Sequence, residues 1–107
     1  MSSFGRFIKS EREKNSWTQT EFGAKIGINS SAISRIENGT QRFSTSKLEI
    51  LAKIFDADLL KLKDLFFADK FAHEAYENGC GKSVFQTAEH ISKHLRNKHS
   101  KQGNFDI

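Results

Sequence analysis

Residues 27–39 read "GINSSAISRIENG", and four of them have types and spacing that can do chemistry. Ser30 and Ser34 are four apart, and so are Ser31 and Arg35. On a helix these four share one edge. A serine hydroxyl either donates or accepts a hydrogen bond, and a guanidinium offers a fixed fork of donors. The opposite edge carries Ile33 and Ile36, three apart, with Ile28 just before them. One edge of this short helix is therefore built to pack, and the other to make polar contacts.

The polar edge suits the major groove of double-stranded DNA. Small side chains let the helix backbone approach the base edges, and serine hydroxyls fit several bases. Arginine donates a bidentate pair to O6 and N7 of guanine, worth about 1–3 kcal/mol of discrimination. A solvated polar edge would carry the same residue types. Serine, however, is a mediocre helix former, so three serines on so short a helix carry a propensity cost that a recognition role explains.

Other chemistries find less support. Cys80, His90, His94 and His99 contain zinc-ligand types, with His90 and His94 one turn apart. There is no second cysteine and no common finger spacing, so no metal and no cofactor are expected. No glycine-rich phosphate loop and no nucleophile with a partnered base are present, so an enzyme is not expected. The single cysteine makes no internal disulfide. The start lacks an apolar signal-like run, and no stretch is apolar enough to span a bilayer. A cytoplasmic location is expected.

The elements that position the polar edge are helical throughout. Phe4, Phe7 and Ile8 begin a first helix, running to about Asn15. Thr18 and Glu21 have capping-box spacing, with Phe22 and Ile26 facing inward and Gly27 ending the second helix. Asn29 caps the third, which stops at Asn38-Gly39. Ser44 or Ser46 caps a fourth, with Leu48, Leu51, Ala52 and Phe55 inward. Asp58 caps a fifth carrying Leu59, Leu62 and Phe66, and Phe67, Phe71, Ala75 and Tyr76 either extend it or restart it. Ser83 and Gln86 have box spacing before a last stripe of Val84, Ala88, Ile91 and Leu95, which ends near Lys98. Residues 99–107 have no period and read as a loose tail. The 107 residues contain no proline and no alternating strand pattern, so the fold class is all-α.

Charge is unevenly spread. Residues 1–47 carry eight Lys/Arg and four Asp/Glu, a net +4, and residues 48–81 carry four and seven, a net −3. A basic N-terminal half beside an acidic middle fits a polyanion on one face and protein contacts on another. A mixed solvated surface would show the same totals.

The stretch "WTQTEFGAKIGINSSAISRIENGTQRFSTSKLEILAKIFDADLLKL" resembles the Cro/phage-repressor (XRE) helix-turn-helix family. The likeness covers about residues 4–66. It rests on the Thr-Gln opening of the second helix, the turn glycine, "ISRIENG" and "LxxLAKxF", all in register without gaps. It implies a five-helix repressor-like domain, residues 1–66, that binds DNA. By this resemblance Ser30, Ser31 and Arg35 match base-reading positions, with Ser34 beside them. Gln19 matches a phosphate contact, and Asn38 meets the backbone just past the recognition helix. Arg12 and Glu37 match a structural pair tying the first helix to the third. Arg42, in the following loop, is a further phosphate candidate, and Lys9 and Lys14 are weaker ones. Three positions depart from the pattern: Gly23 for the usual alanine, Phe43 where proline is common, and Asp56 where glycine often ends helix four.

Residues 67–98 form a helical extension with more apolar surface than the small core needs. The family usually binds paired half-sites as two-fold dimers, so this extension is expected to serve a homodimer. Folding back on its own core is the simpler alternative. Size and extension are similar to controller proteins of restriction–modification systems, which implies a regulator on a near-palindromic operator. The alternative is an antitoxin that binds its own promoter and a toxin protein.

Overall fold

Local capping chemistry writes most of the helix boundaries. The computed structural model describes residues 3–101. It contains α1 (Ser3–Lys14), α2 (Gln19–Ile26), α3 (Ser30–Asn38), α4 (Leu48–Phe55), α5 (Leu59–Glu77) and α6 (Ser83–Lys101). No strand occurs among the described residues, and the fold is all-α.

Before α2 the capping box closes in both directions. Glu21 N donates to Thr18 Oγ1 at 3.0 Å, and Thr18 N donates to Glu21 Oε1 at 2.8 Å. Each bond satisfies an N–H that the helix itself leaves unpaired. Gly27, at φ 77°, ends α2 in the left-handed region. Ala32 N then donates to Asn29 Oδ1 at 2.8 Å, which starts α3 only three residues later. Asp58 receives Leu60 N at 2.9 Å and starts α5. Asp56 takes the left-handed conformation (φ 52°) at the end of α4, as its tolerance of that region allows.

Two expected caps are not made. A 3-10 turn, Thr45–Lys47, precedes α4, and Ser44 and Ser46 bond each other at 2.8 Å instead of capping it. The tighter turn takes over the start of the helix, leaving the hydroxyls facing one another. Ser83 is already the first residue of α6, and the amides of Val84 and Phe85 donate to the carbonyls of Gly81 and Lys82. It therefore lies inside the first turn, one position too late to cap it.

The chain divides into two compact units, residues 1–71 and 72–107. The first unit holds a phenylalanine-rich core of Phe4, Ile8, Phe22, Ile33, Leu51, Phe55 and Phe66 with their neighbours. Phe22 stacks on Phe55 at 5.2 Å, and Trp17 stacks on both at 6.3 Å. Phe43 is buried against Phe4, with ring centroids 5.6 Å apart. The loop position where the family often has proline is here a core anchor. Gly23 is required by contact: a Cβ there would collide with the carbonyl oxygen of Ile28. The α2–α3 approach is thus closer than even alanine permits without a shift.

α5 is one continuous helix that runs through the division between the units. In the second unit no described side chain is buried, and Tyr76, Phe85, Ile91 and Leu95 are exposed. α6 continues to Lys101, past the expected end near Lys98. The rest of the expected tail, 102–107, lies outside the described residues.

Candidate nucleic-acid interface

α3 is two-sided, as its spacing requires. Ala32, Ile33 and Ile36 are buried, and burial of an isoleucine side chain stabilises by about 1.5–3 kcal/mol. On the other edge Ser31 and Arg35 are exposed, while Ser30 and Ser34 are half-buried. The four polar residues therefore come to one edge. Apart from Arg35, and Asn38 at its C-terminal end, the edge carries nothing larger than serine.

The inward edge ends in a charge. Glu37 is 2% exposed and Arg12 8%. Arg12 grips the carboxylate with two donors, Nε to Oε2 at 2.7 Å and Nη2 to Oε1 at 3.1 Å. Its Nη1 donates to the carbonyl of Trp17 at 2.9 Å, so the loop before α2 joins the same network. Gln19 Nε2 donates to Glu37 Oε1 at 3.1 Å. One carboxylate thus ties together α1, the N-terminus of α2 and the C-terminus of α3. Hydrogen bonding to Glu37 raises the Arg12 pKa above its ordinary value, against the opposing cost of burial. Stability drawn from a raised pKa is present below the unfolded-state value and lost only as pH rises through the folded one. For an arginine that window is strongly alkaline, so the guanidinium is charged at neutral pH.

Arg12 and Glu37 therefore form the expected structural pair. Gln19, expected at a phosphate, reaches Glu37 from the first turn of α2. Asn38 and Arg42 are exposed at the end of α3 and in the loop after it. Of the weaker candidates, Lys9 is exposed, and Lys14 pairs with Glu11 at 3.0 Å.

Three participants have no signal in spacing or motif. Trp17 supplies a carbonyl to Arg12 and a ring to the core. Lys47 Nζ donates to the carbonyl of Ile26 at 2.9 Å and holds the end of α2. Gln41 Oε1 accepts from Arg35 Nε at 2.8 Å. Gln41 returns to Arg35 because Gly39, at φ 83°, reverses the chain there. Only the folded loop makes that pair visible.

Among the described residues no group of three His, Cys, Asp or Glu side chains is placed to hold a metal ion. Also among them, no helix is long and apolar enough to cross a membrane.

Two short helices joined by a tight glycine turn, the second carrying a polar outer edge, form a helix-turn-helix. The family model described as helix-turn-helix matches residues 8–62, just over half of the chain. The chain belongs to that family, in its XRE branch, a family of DNA-binding transcriptional regulators. It is 36% identical over 75 residues to Antitoxin PezA of Streptococcus pneumoniae, covering 68% of this chain and 46% of that protein. It is 34% identical over 58 residues to the Competence pilus inhibition repressor of Acinetobacter baylyi, covering 54% of this chain and 53% of that one. The chain spans about half the length of these curated relatives. The SinR protein/SinI protein complex shares its fold, with TM-score 0.50 at 23% identity, covering 88% of this chain and 98% of that chain.

Proposed function

We propose that α3 lies in the major groove and reads base edges with Ser30, Ser31, Ser34 and Arg35. Gln19, Asn38 and Arg42 hold phosphates and set the register of the helix on the duplex. One observation carries this reading. The outer edge of α3 carries three serines and one arginine, with Asn38 at its C-terminal end, while its inner edge is locked to α1 through Arg12 and Glu37. A rigid helix with a low-relief face can approach base edges closely. Binding of the full chain to a random DNA pool, followed by sequencing of the retained fraction, tests it. A defined motif is expected, and retention without sequence preference would contradict it. Gln19→Ala is expected to weaken all sequences about equally, and a change in base preference would contradict a phosphate role.

The operator is near-palindromic and the regulator acts as a homodimer, with half-sites about 34–36 Å apart. Residues 67–98 supply the dimer contact. The exposed Tyr76, Phe85, Ile91 and Leu95 in the second unit support this role. Sedimentation showing a monomer at micromolar concentration would contradict it. The regulator acts in the cytoplasm.

Two finer roles follow. Control of restriction–modification genes rests on size and on the helical extension. The antitoxin role is favoured by one further observation, the 36% identity to a protein named an antitoxin. In that role the second unit covers a toxin. A stable co-purifying protein encoded next door favours the antitoxin, and a neighbouring methyltransferase or restriction gene favours the controller.

A further inference from the structure

We infer that Gln41 is a positioning residue for Arg35, holding the guanidinium so that its outer edge, Nη1 and Nη2, is presented to a base. This rests on base reading by Arg35 as proposed above. Arg35 Nε donates to Gln41 Oε1 at 2.8 Å. An arginine Nε–H can only donate, so the amide must turn its oxygen toward it and its NH2 group away. The backbone independently holds the loop beside residue 35. Thr40 N and Gln41 N donate to the carbonyl of Arg35 at 2.9 and 3.3 Å. Thr40 Oγ1 reaches the same oxygen at 3.3 Å. The loop is anchored on residue 35, and the anchor brings the Gln41 side chain alongside the arginine.

Both side chains are exposed, so this bond competes with water and is no stability device. Its effect is on the freedom of a long side chain. A guanidinium grips a partner by its side edge, Nε with Nη2, or by its end, Nη1 with Nη2. Arg12 uses the side edge on Glu37. At Arg35 the side edge is occupied by Gln41, which leaves the end. Two parallel donors there match O6 and N7 of guanine. Ordering the side chain before it meets DNA removes part of the entropy cost of the contact, equivalent to about threefold to tenfold in discrimination. Because Gln41 acts through Arg35, the effect is confined to the base pair that Arg35 meets.

The test uses the full chain and the consensus site selected from a random DNA pool. Competition with every single-base variant gives the preference at each base pair. Arg35→Ala should flatten one base pair in each half-site. Gln41→Ala should lower the preference at that same base pair about threefold to tenfold, with binding to random DNA nearly unchanged. Gln41→Glu should restore the preference, since its carboxylate accepts from Nε, while its added negative charge weakens all sequences. In an Arg35→Ala background, Gln41→Ala should change nothing at that base pair.

If Gln41→Ala alters a different base pair, Gln41 reads a base itself and the inference is wrong. Equal losses on specific and random DNA would also overturn it. If Arg35→Ala flattens a base pair and Gln41→Ala leaves it untouched, this inference fails while base reading stands. If Arg35→Ala flattens none, both fail. In the DNA-free protein, the Arg35 Nε–H resonance should be distinct and move to the solvent-exposed position in Gln41→Ala. A solvent-exposed resonance already in the unaltered protein would contradict the clamp.

Discussion

Arg12 and Arg35 serve opposite edges of the same nine-residue helix, α3. The residues they act from or upon, 35 and 37, are two apart, about 200° around a helix. Arg12 is buried and spends Nε, Nη1 and Nη2 on Glu37 and the Trp17 carbonyl. Arg35 is exposed, and among the described residues its side chain is engaged through Nε alone, by Gln41. The same side chain is structural cement at one place and a reader at the other. What separates the roles is solvent access and the number of donors left over. A buried guanidinium with all three nitrogens engaged can fix a helix, and an exposed one with its end free can recognise a partner.

The largest expected effect lies on the inner edge. Arg12→Ala leaves Glu37 buried and short of its charged partner, and should destabilise the fold by about 3–5 kcal/mol, read from urea unfolding. Arg35→Ala in the same assay should stay within about 0.5 kcal/mol. Similar losses for the two would break the contrast. Gly23→Ala pushes α2 away from the Ile28 carbonyl and should cost about 1–3 kcal/mol. A neutral result would mean that the α2–α3 junction can relax. On DNA the order reverses: Arg35→Ala should lose about 1–3 kcal/mol of discrimination at one base pair. The smallest effect sharpens the division between reading and holding. Arg42→Ala should reduce the slope of log affinity against log salt by about 1, with base preference unchanged. A changed preference would move Arg42 to the reading set.

The sequence carries the capped helices well because their signals are local. Thr18 with Glu21, Asn29 with its turn glycines, and Asp58 each satisfy an N–H within three residues. The polar edge of α3 is legible for the same reason, since its spacing alone places Ser30, Ser31, Ser34 and Arg35 together. Long-range features are less legible. The Arg12–Glu37 pair spans 25 residues, and resemblance to a family implies it where spacing does not. In sequence Phe43 is a departure from the family pattern in a loop, and only the packed core shows why a ring belongs there. Ser44 and Ser83 have the right residue type for caps, but the turn before α4 and the start of α6 are set by the neighbouring backbone. Gln41 and Lys47 act across folded turns, where no sequence spacing announces a partner.

The central claim is that the outer edge of α3 reads sequence while its inner edge only holds the helix. Selection from a random DNA pool with the unaltered chain and with Arg35→Ala tests it most directly. The expected result is a motif that loses its preference at one base pair in each half-site and keeps the rest. An unchanged motif, or a uniform loss of binding to specific and random DNA alike, would contradict it.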